Sequence, residues 1–290
     1  DTVPEHQGIF LETSYRMHPS ICEFISEAVY AGRLLSDDDN ARQKLLGGSG
    51  SSQKFPETGI KFIEVKHDNC SQSSEDEAQM VLDLYEDLLG TRYVDRNGVE
   101  HDMTPDDVMV VAPYNAQVNL IKEKLDKVGG VKDARVGTID LFQGQEAQVV
   151  IVSMTTSNRE ELPRYFEFLF SRNRLNVALS RARCLDIVIC SSDLLSIGCR
   201  TIEQMELVNT LCWARDYSRS EEETIGQILH DGISCLECSA QNIPGANVCD
   251  VCGEEIFDAR VSGSADSSGS GAPDTCATEL TDIQEKSDDH

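Results

Sequence analysis

The chain has 290 residues, 40% of them hydrophobic, and a net charge of −26 at neutral pH. That length suits one sizeable core plus a smaller appendage, and that charge excludes a protein that coats nucleic acid through a broad basic face. No apolar run approaches the roughly 18 residues of a membrane helix, and no signal pattern opens the chain, so the sequence predicts a soluble protein without a membrane partner, in the cytoplasm or another reducing compartment.

In chain order, the polar, Gly/Ser-rich stretch from Asp37 to Phe55 is predicted as a mobile loop. Five short β-branched runs come after it: Ile60 to Val65, Val108 to Ala112, Arg135 to Ile139, Val149 to Met154 and Ile187 to Cys190. Being apolar at nearly every position, they suit strands covered on both faces. After the first, Ser74 and Glu77 form a capping box ahead of Met80, Val81, Leu84, Tyr85 and Leu88, one face of a helix. After the second, Asn115 can cap a helix carrying Val118, Ile121, Leu125 and Val128. A third helix, Ile202 to Cys212, comes after the last strand.

The predicted class is therefore α/β, a doubly wound, mainly parallel sheet with helices on both faces. The main domain is expected over residues 1–215, a helical linker over 216–232, a four-Cys module over 233–256 and a disordered acidic tail over 257–290. From residue 254 onward ten acids face two bases, and from about Val261 large apolar residues almost vanish, so the tail cannot offset its ordering entropy. Upstream, a net charge of −18 remains. Any contact with nucleic acid must be local, built from amides, hydroxyls and a few placed side chains.

Four strings fall at strand ends or helix starts, where doubly wound sheets place ligands. They are Tyr15-Arg16-Met17-His18-Pro19, Ala112-Pro113-Tyr114-Asn115-Ala116-Gln117, Gly137-Thr138-Ile139-Asp140-Leu141-Phe142-Gln143-Gly144-Gln145-Glu146, and Arg174-Leu175-Asn176-Val177-Ala178-Leu179-Ser180-Arg181-Ala182-Arg183. Their order and spacing over residues 8–195 resemble the C-terminal, second RecA-like motor domain of superfamily 1 helicases, in the group of RNA-surveillance and replication nuclease-helicases.

The resemblance implies ATP, with Mg2+, bound between this domain and an N-terminal RecA-like domain. Charge spreads over the γ-phosphate oxygens during transfer, and arginine offers them a permanently charged planar fork. Arg16 and Arg181 would be the two fingers; for Arg183 a local ion pair is the alternative. Gln143, Gly144 and Glu146 would contact the nucleotide, Glu146 at its sugar. Tyr114, Asn115, Gln117, Thr138 and Asp140 would contact single-stranded DNA or RNA, with a buried strand threonine and a plain helix cap as the bland readings of Thr138 and Asn115. His18 is read as ordering the loop around Arg16. The family likeness also implies 5′ to 3′ movement.

A second signal is Cys235-x2-Cys238-x10-Cys249-x2-Cys252, a spacing that suits tetrahedral coordination of Zn2+. Residues 233–256 resemble the Ran-binding-protein type of zinc finger, with Ile233 in place of its tryptophan and Ser239-Ala240 in place of the Thr-Phe pair that binds ubiquitin. A protein or nucleic-acid partner is expected for it.

No Gly-x4-Gly-Lys-Ser/Thr loop occurs in the sequence, so the phosphate cradle and magnesium ligands are expected on an N-terminal half of a longer polypeptide. One alternative is a zinc-finger-bearing docking platform with a structural motor remnant. A fused nuclease is the other, but no cluster of carboxylates with a lysine supports it.

Overall fold

The computed structural model describes residues 8–47, 55–127, 134–157, 169, 171–199, 201–230, 233–234 and 241–242. The chain divides into two compact units, residues 1–225 and 226–290.

In the first unit, β1 (Thr13–Ser14) precedes α1 (Pro19–Tyr30), then β2 (Leu35–Ser36), a 3-10 turn (Asp38–Arg42), β3 (Lys44–Leu46) and β4 (Gly59–Glu64). Next come α2 (Glu75–Leu89), β5 (Arg92–Val94), β6 (Glu100–Asp102), β7 (Val108–Val111) and α3 (Asn115–Lys127). The unit continues through β8 (Arg135–Gly137), a 3-10 turn (Ile139–Phe142), β9 (Ala147–Ser153), α4 (Arg172–Leu179), β10 (Ala182–Cys190), α5 (Ser192–Leu195) and the greater part of α6 (Ile202–His230).

The five expected strands form one parallel sheet in the order β4-β10-β9-β7-β8. Alternating side chains supply two cores. Val150 and Val152 join Ile60, Met109 and Val188 against α1, α4 and α6, whereas Val149 and Ile151 join Val108, Val110 and Ile187 against α2 and α3. Both faces are covered, which is why the strands lack polar alternation.

Three expectations are corrected. Residues 37–47 are not a loose loop: Asp37 caps the 3-10 turn, and β3 joins β5 and β6 in a small antiparallel sheet whose Leu45 and Tyr93 are buried. The capping box at α2 is half formed. Ser74 Oγ accepts from Glu77 N at 3.2 Å, but Glu77 turns inward and Ser74 N donates to Gln117 Oε1 at 2.8 Å. The third helix runs well beyond Cys212, to His230.

Candidate active site at the strand ends

The Tyr15–His18 loop owes its shape to the first turn of α1. Pro19 opens that helix, where a missing N–H costs nothing, and His18 Nδ1 accepts from Ser20 N at 3.2 Å. Burial holds the His18 pKa below its ordinary value, against the opposing effect of a backbone contact at Ala41, which keeps that nitrogen available as an acceptor. His18 N donates to Arg183 O at 2.9 Å, so the loop is tied to the start of β10.

Three of the four strings meet at Glu146. Arg16 Nε donates to Glu146 Oε2 at 2.6 Å and its Nη1 to Ser180 O at 2.8 Å, and Arg183 pairs with Glu146 Oε1. Partial burial alone would raise the Glu146 pKa, but the Arg16 and Arg183 hydrogen bonds and charges outweigh it and hold the carboxyl below its ordinary value. Arg135 secures the turn from beneath, donating to Glu146 O at 3.1 Å and Gln145 Oε1 at 2.9 Å.

Arg181 differs from its neighbours. Its Nη1 reaches only Gln145 O at 3.4 Å, and its Nε, closed off from solvent, has no hydrogen-bond partner among the described residues. Burial, and then the Arg16 charge, lower its pKa. Two guanidinium charges held close with an incomplete set of acceptors are suited to an incoming anion.

Glycine permits the neighbouring turn. A Cβ on Gly137 would lie 2.5 Å from Leu141 Cδ2 and would push that exposed side chain aside, and Gly144 sits at φ +82°. Thr138 precedes that turn, Asp140 is exposed and lies 3.6 Å from Arg174, and Gln143 and Gly144 are exposed. Tyr114 and Asn115 stand at the end of β7 and start of α3, the tyrosine buried and the asparagine exposed.

Gln117 is the exception. It is fully buried, and its amide accepts from Ser74 N and donates to Ser74 O at 3.2 Å and Ser153 Oγ at 3.1 Å, so it lies in the core and is not open to a ligand. Sequence reasoning missed Ser36, Asn40 and Gln43, whose side chains hold the Ser14–Met17 carbonyls. Their one sequence cue is Asp37 in cap position. Cys235, Cys238, Cys249 and Cys252 lie outside the described residues, among which no metal-binding group occurs.

The family described as "AAA domain" (AAA_12) matches residues 2–193. The chain belongs to this family, and several of its relatives are named helicases. DNA polymerase alpha-associated DNA helicase A of Saccharomyces cerevisiae is 31% identical over 198 residues, 64% of this chain and 28% of its own length. DNA-binding protein SMUBP-2 of Mesocricetus auratus is 30% identical over 69% of this chain and 19% of its own. Putative helicase mov-10-B.1 of Danio rerio is 30% identical over 61% and 19%. The AAA-domain chain thus spans less than a third of the length of these relatives.

Proposed function

We propose that this chain is the C-terminal motor half of an ATP-dependent superfamily 1 helicase or translocase, inactive without an N-terminal RecA-like half that carries the phosphate-binding loop and the Mg2+ ligands. The observation that carries this reading is the incompletely paired Arg181, which reaches Gln145 O, beside Arg16, which is anchored on Glu146. With ATP between the halves, both guanidinium groups meet the γ-phosphate, where charge develops. Glu146 is still partly exposed, and a carboxylate has about four lone-pair sites, so its two ion pairs leave capacity for a ribose hydroxyl. Gly144 brings backbone close to the nucleotide and Gln143 flanks it.

Single-stranded DNA or RNA lies along the ends of β7 and β8, contacted by Asn115, Thr138 and Asp140 with Tyr114 beneath them. The first amides of α3 favour a phosphate there. Movement is 5′ to 3′ by family likeness. The second unit binds Zn2+ through Cys235, Cys238, Cys249 and Cys252. In support, Ile233–Ser234 pairs antiparallel with Gln241–Asn242, flanking the first Cys-x2-Cys knuckle in sequence, and so small a module gains its folding energy from metal. The knuckle then offers a docking point for a protein or nucleic acid.

The test is ATP turnover by the native full-length protein with single-stranded DNA and RNA in turn, comparing wild type with Arg181→Ala. A fall of about 10³-fold or more with strand binding retained is expected of a finger. Unchanged turnover removes Arg181 from the chemistry and returns the docking platform to the lead.

A further inference from the structure

An arginine that reaches across a cleft is effective only if its backbone is held, because a displacement of about 1 Å at a reacting centre can cost about 100-fold in rate. Beyond β1, whose Ser14 carbonyl accepts from Asp37 N at 2.9 Å, Tyr15–Met17 belongs to no sheet or helix. Instead, side chains from residues 36–43 meet the carbonyls of Ser14, Arg16 and Met17. Asn40 Nδ2 donates to Ser14 O at 2.9 Å, Gln43 Nε2 to Arg16 O at 2.8 Å and Ser36 Oγ to Met17 O at 2.8 Å. Asn40 and Gln43 are 0% and 2% exposed, so these amides are embedded rather than lying on the surface.

Gln43 immediately precedes β3, whose Leu45 is buried in the core and paired with Tyr93 of β5. The hairpin turn between β5 and β6 reaches back to the same loop from the solvent side. Its Arg96 pairs with Asp37 at 2.7 Å and lies 5.5 Å from the Tyr15 ring centroid, with Nη1 3.5 Å from Tyr15 O. The small sheet thus holds Tyr15 through Arg96 and the Arg16 carbonyl through Gln43, while Ser36 of β2 holds Met17.

We infer that Gln43 is a positioning residue for Arg16 and that the β3-β5-β6 sheet is the buttress that keeps this arginine aimed at the nucleotide. The inference rests on the arginine-finger reading above. Gln43 touches neither substrate nor reacting atoms; it acts through the Arg16 backbone, so its removal lowers kcat only while Arg16 is present.

A double-mutant cycle in the native full-length protein tests this, with strand-stimulated ATP turnover as the readout for wild type, Gln43→Met, Arg16→Ala and the double variant. Gln43→Met keeps the side-chain length and removes the donor. The expected result is a kcat loss of about tenfold in Gln43→Met, from a sub-ångström displacement, with the half-saturating strand concentration unchanged. The double variant should then be no slower than Arg16→Ala, since groups acting through one another are not additive. Unchanged kcat in Gln43→Met, or losses that multiply in the double variant, overturn the inference while leaving the finger reading intact. Full turnover in Arg16→Ala overturns both. Should Gln43→Met fail to fold, Arg96→Gln carries the cycle from the surface: a kcat loss that vanishes in the Arg16→Ala background supports the buttress, and no loss, or one that persists there, overturns it.

Discussion

Glu146 and Asp186 are two carboxyls in one domain whose surroundings push them in opposite directions. Glu146, clasped by Arg16 and Arg183, has its pKa lowered, so its contribution to stability is present above the ordinary carboxyl value near 4 and is lost as pH falls through the lowered one. With the carboxyl partly exposed the effect is modest, about 1 kcal/mol or less. Glu146→Gln should melt slightly below wild type at pH 7 and converge with it under acid conditions, in thermal melts across pH 3–7.

Asp186 is the reverse case. It sits mid-strand in β10 between Ile60 and Val150, fully buried, with neither carboxyl oxygen hydrogen-bonded to the described residues. Burial raises its pKa well above the ordinary value. Stability is then complete below the unfolded pKa and declines as pH rises from there toward the folded one, by about 1.4 kcal/mol per pH unit. Asp186→Asn should therefore stabilise the domain, by more at pH 7 than at pH 5, in urea unfolding at both; an equal shift at the two values contradicts the buried-acid account. Arg16, Arg181 and Glu146 could be singled out in the sequence because their strings resemble the motifs of a known helicase group. Asp186 could not, since a lone acid in an apolar run carries no sign of its partners.

At the scale of elements, the strands were legible because burial on both faces leaves continuous β-branched runs. Glu77 was legible only as a cap residue, and the structure gives it different partners. Its carboxylate accepts from Ser153 Oγ at 2.6 Å and Thr155 N at 2.7 Å and lies 2.9 Å from His67 Nε2, all in the interior. Thr155, at φ +71°, is the centre of a tight three-residue turn closed by Thr156 N donating to Met154 O at 2.7 Å. A β-branched residue in that region is strained by about 1–3 kcal/mol and persists only where its surroundings over-determine it. Glu77→Ala strips that turn of its anchor and leaves buried donors unpaired, so a loss of about 3–5 kcal/mol is expected in equilibrium unfolding. A loss below about 1 kcal/mol would show that the turn holds itself. The β5–β6 hairpin went unread in the sequence although Asn97-Gly98 marks its turn, with Gly98 at φ +80°. Its short, charged strands hid the period that a longer pair would show.

For the molecule as a whole, the sequence separates a motor-like body from a cysteine-bearing unit, and the division at residues 225 and 226 arises from the contacts within each. If the second unit folds on Zn2+, Cys249→Ser should abolish one equivalent of bound zinc by elemental analysis and leave the main thermal transition unmoved, because the body has its own two cores. Unchanged zinc content would rule out the four-cysteine site. What the sequence could not convey is how an edge of the sheet is finished. Phe62 N, on the outer side of β4, donates to Ser218 Oγ at 3.0 Å, and Arg219 pairs with Glu64 at 2.9 Å, so the long helix α6 lies against the border strand. A protein shortened to end before Ser218 would leave the Phe62 amide unpaired on the border strand β4 and invite neighbouring molecules to add strands to it. In practical terms, α6 through Arg219 belongs in any shortened form of this domain, as a guard against filament growth.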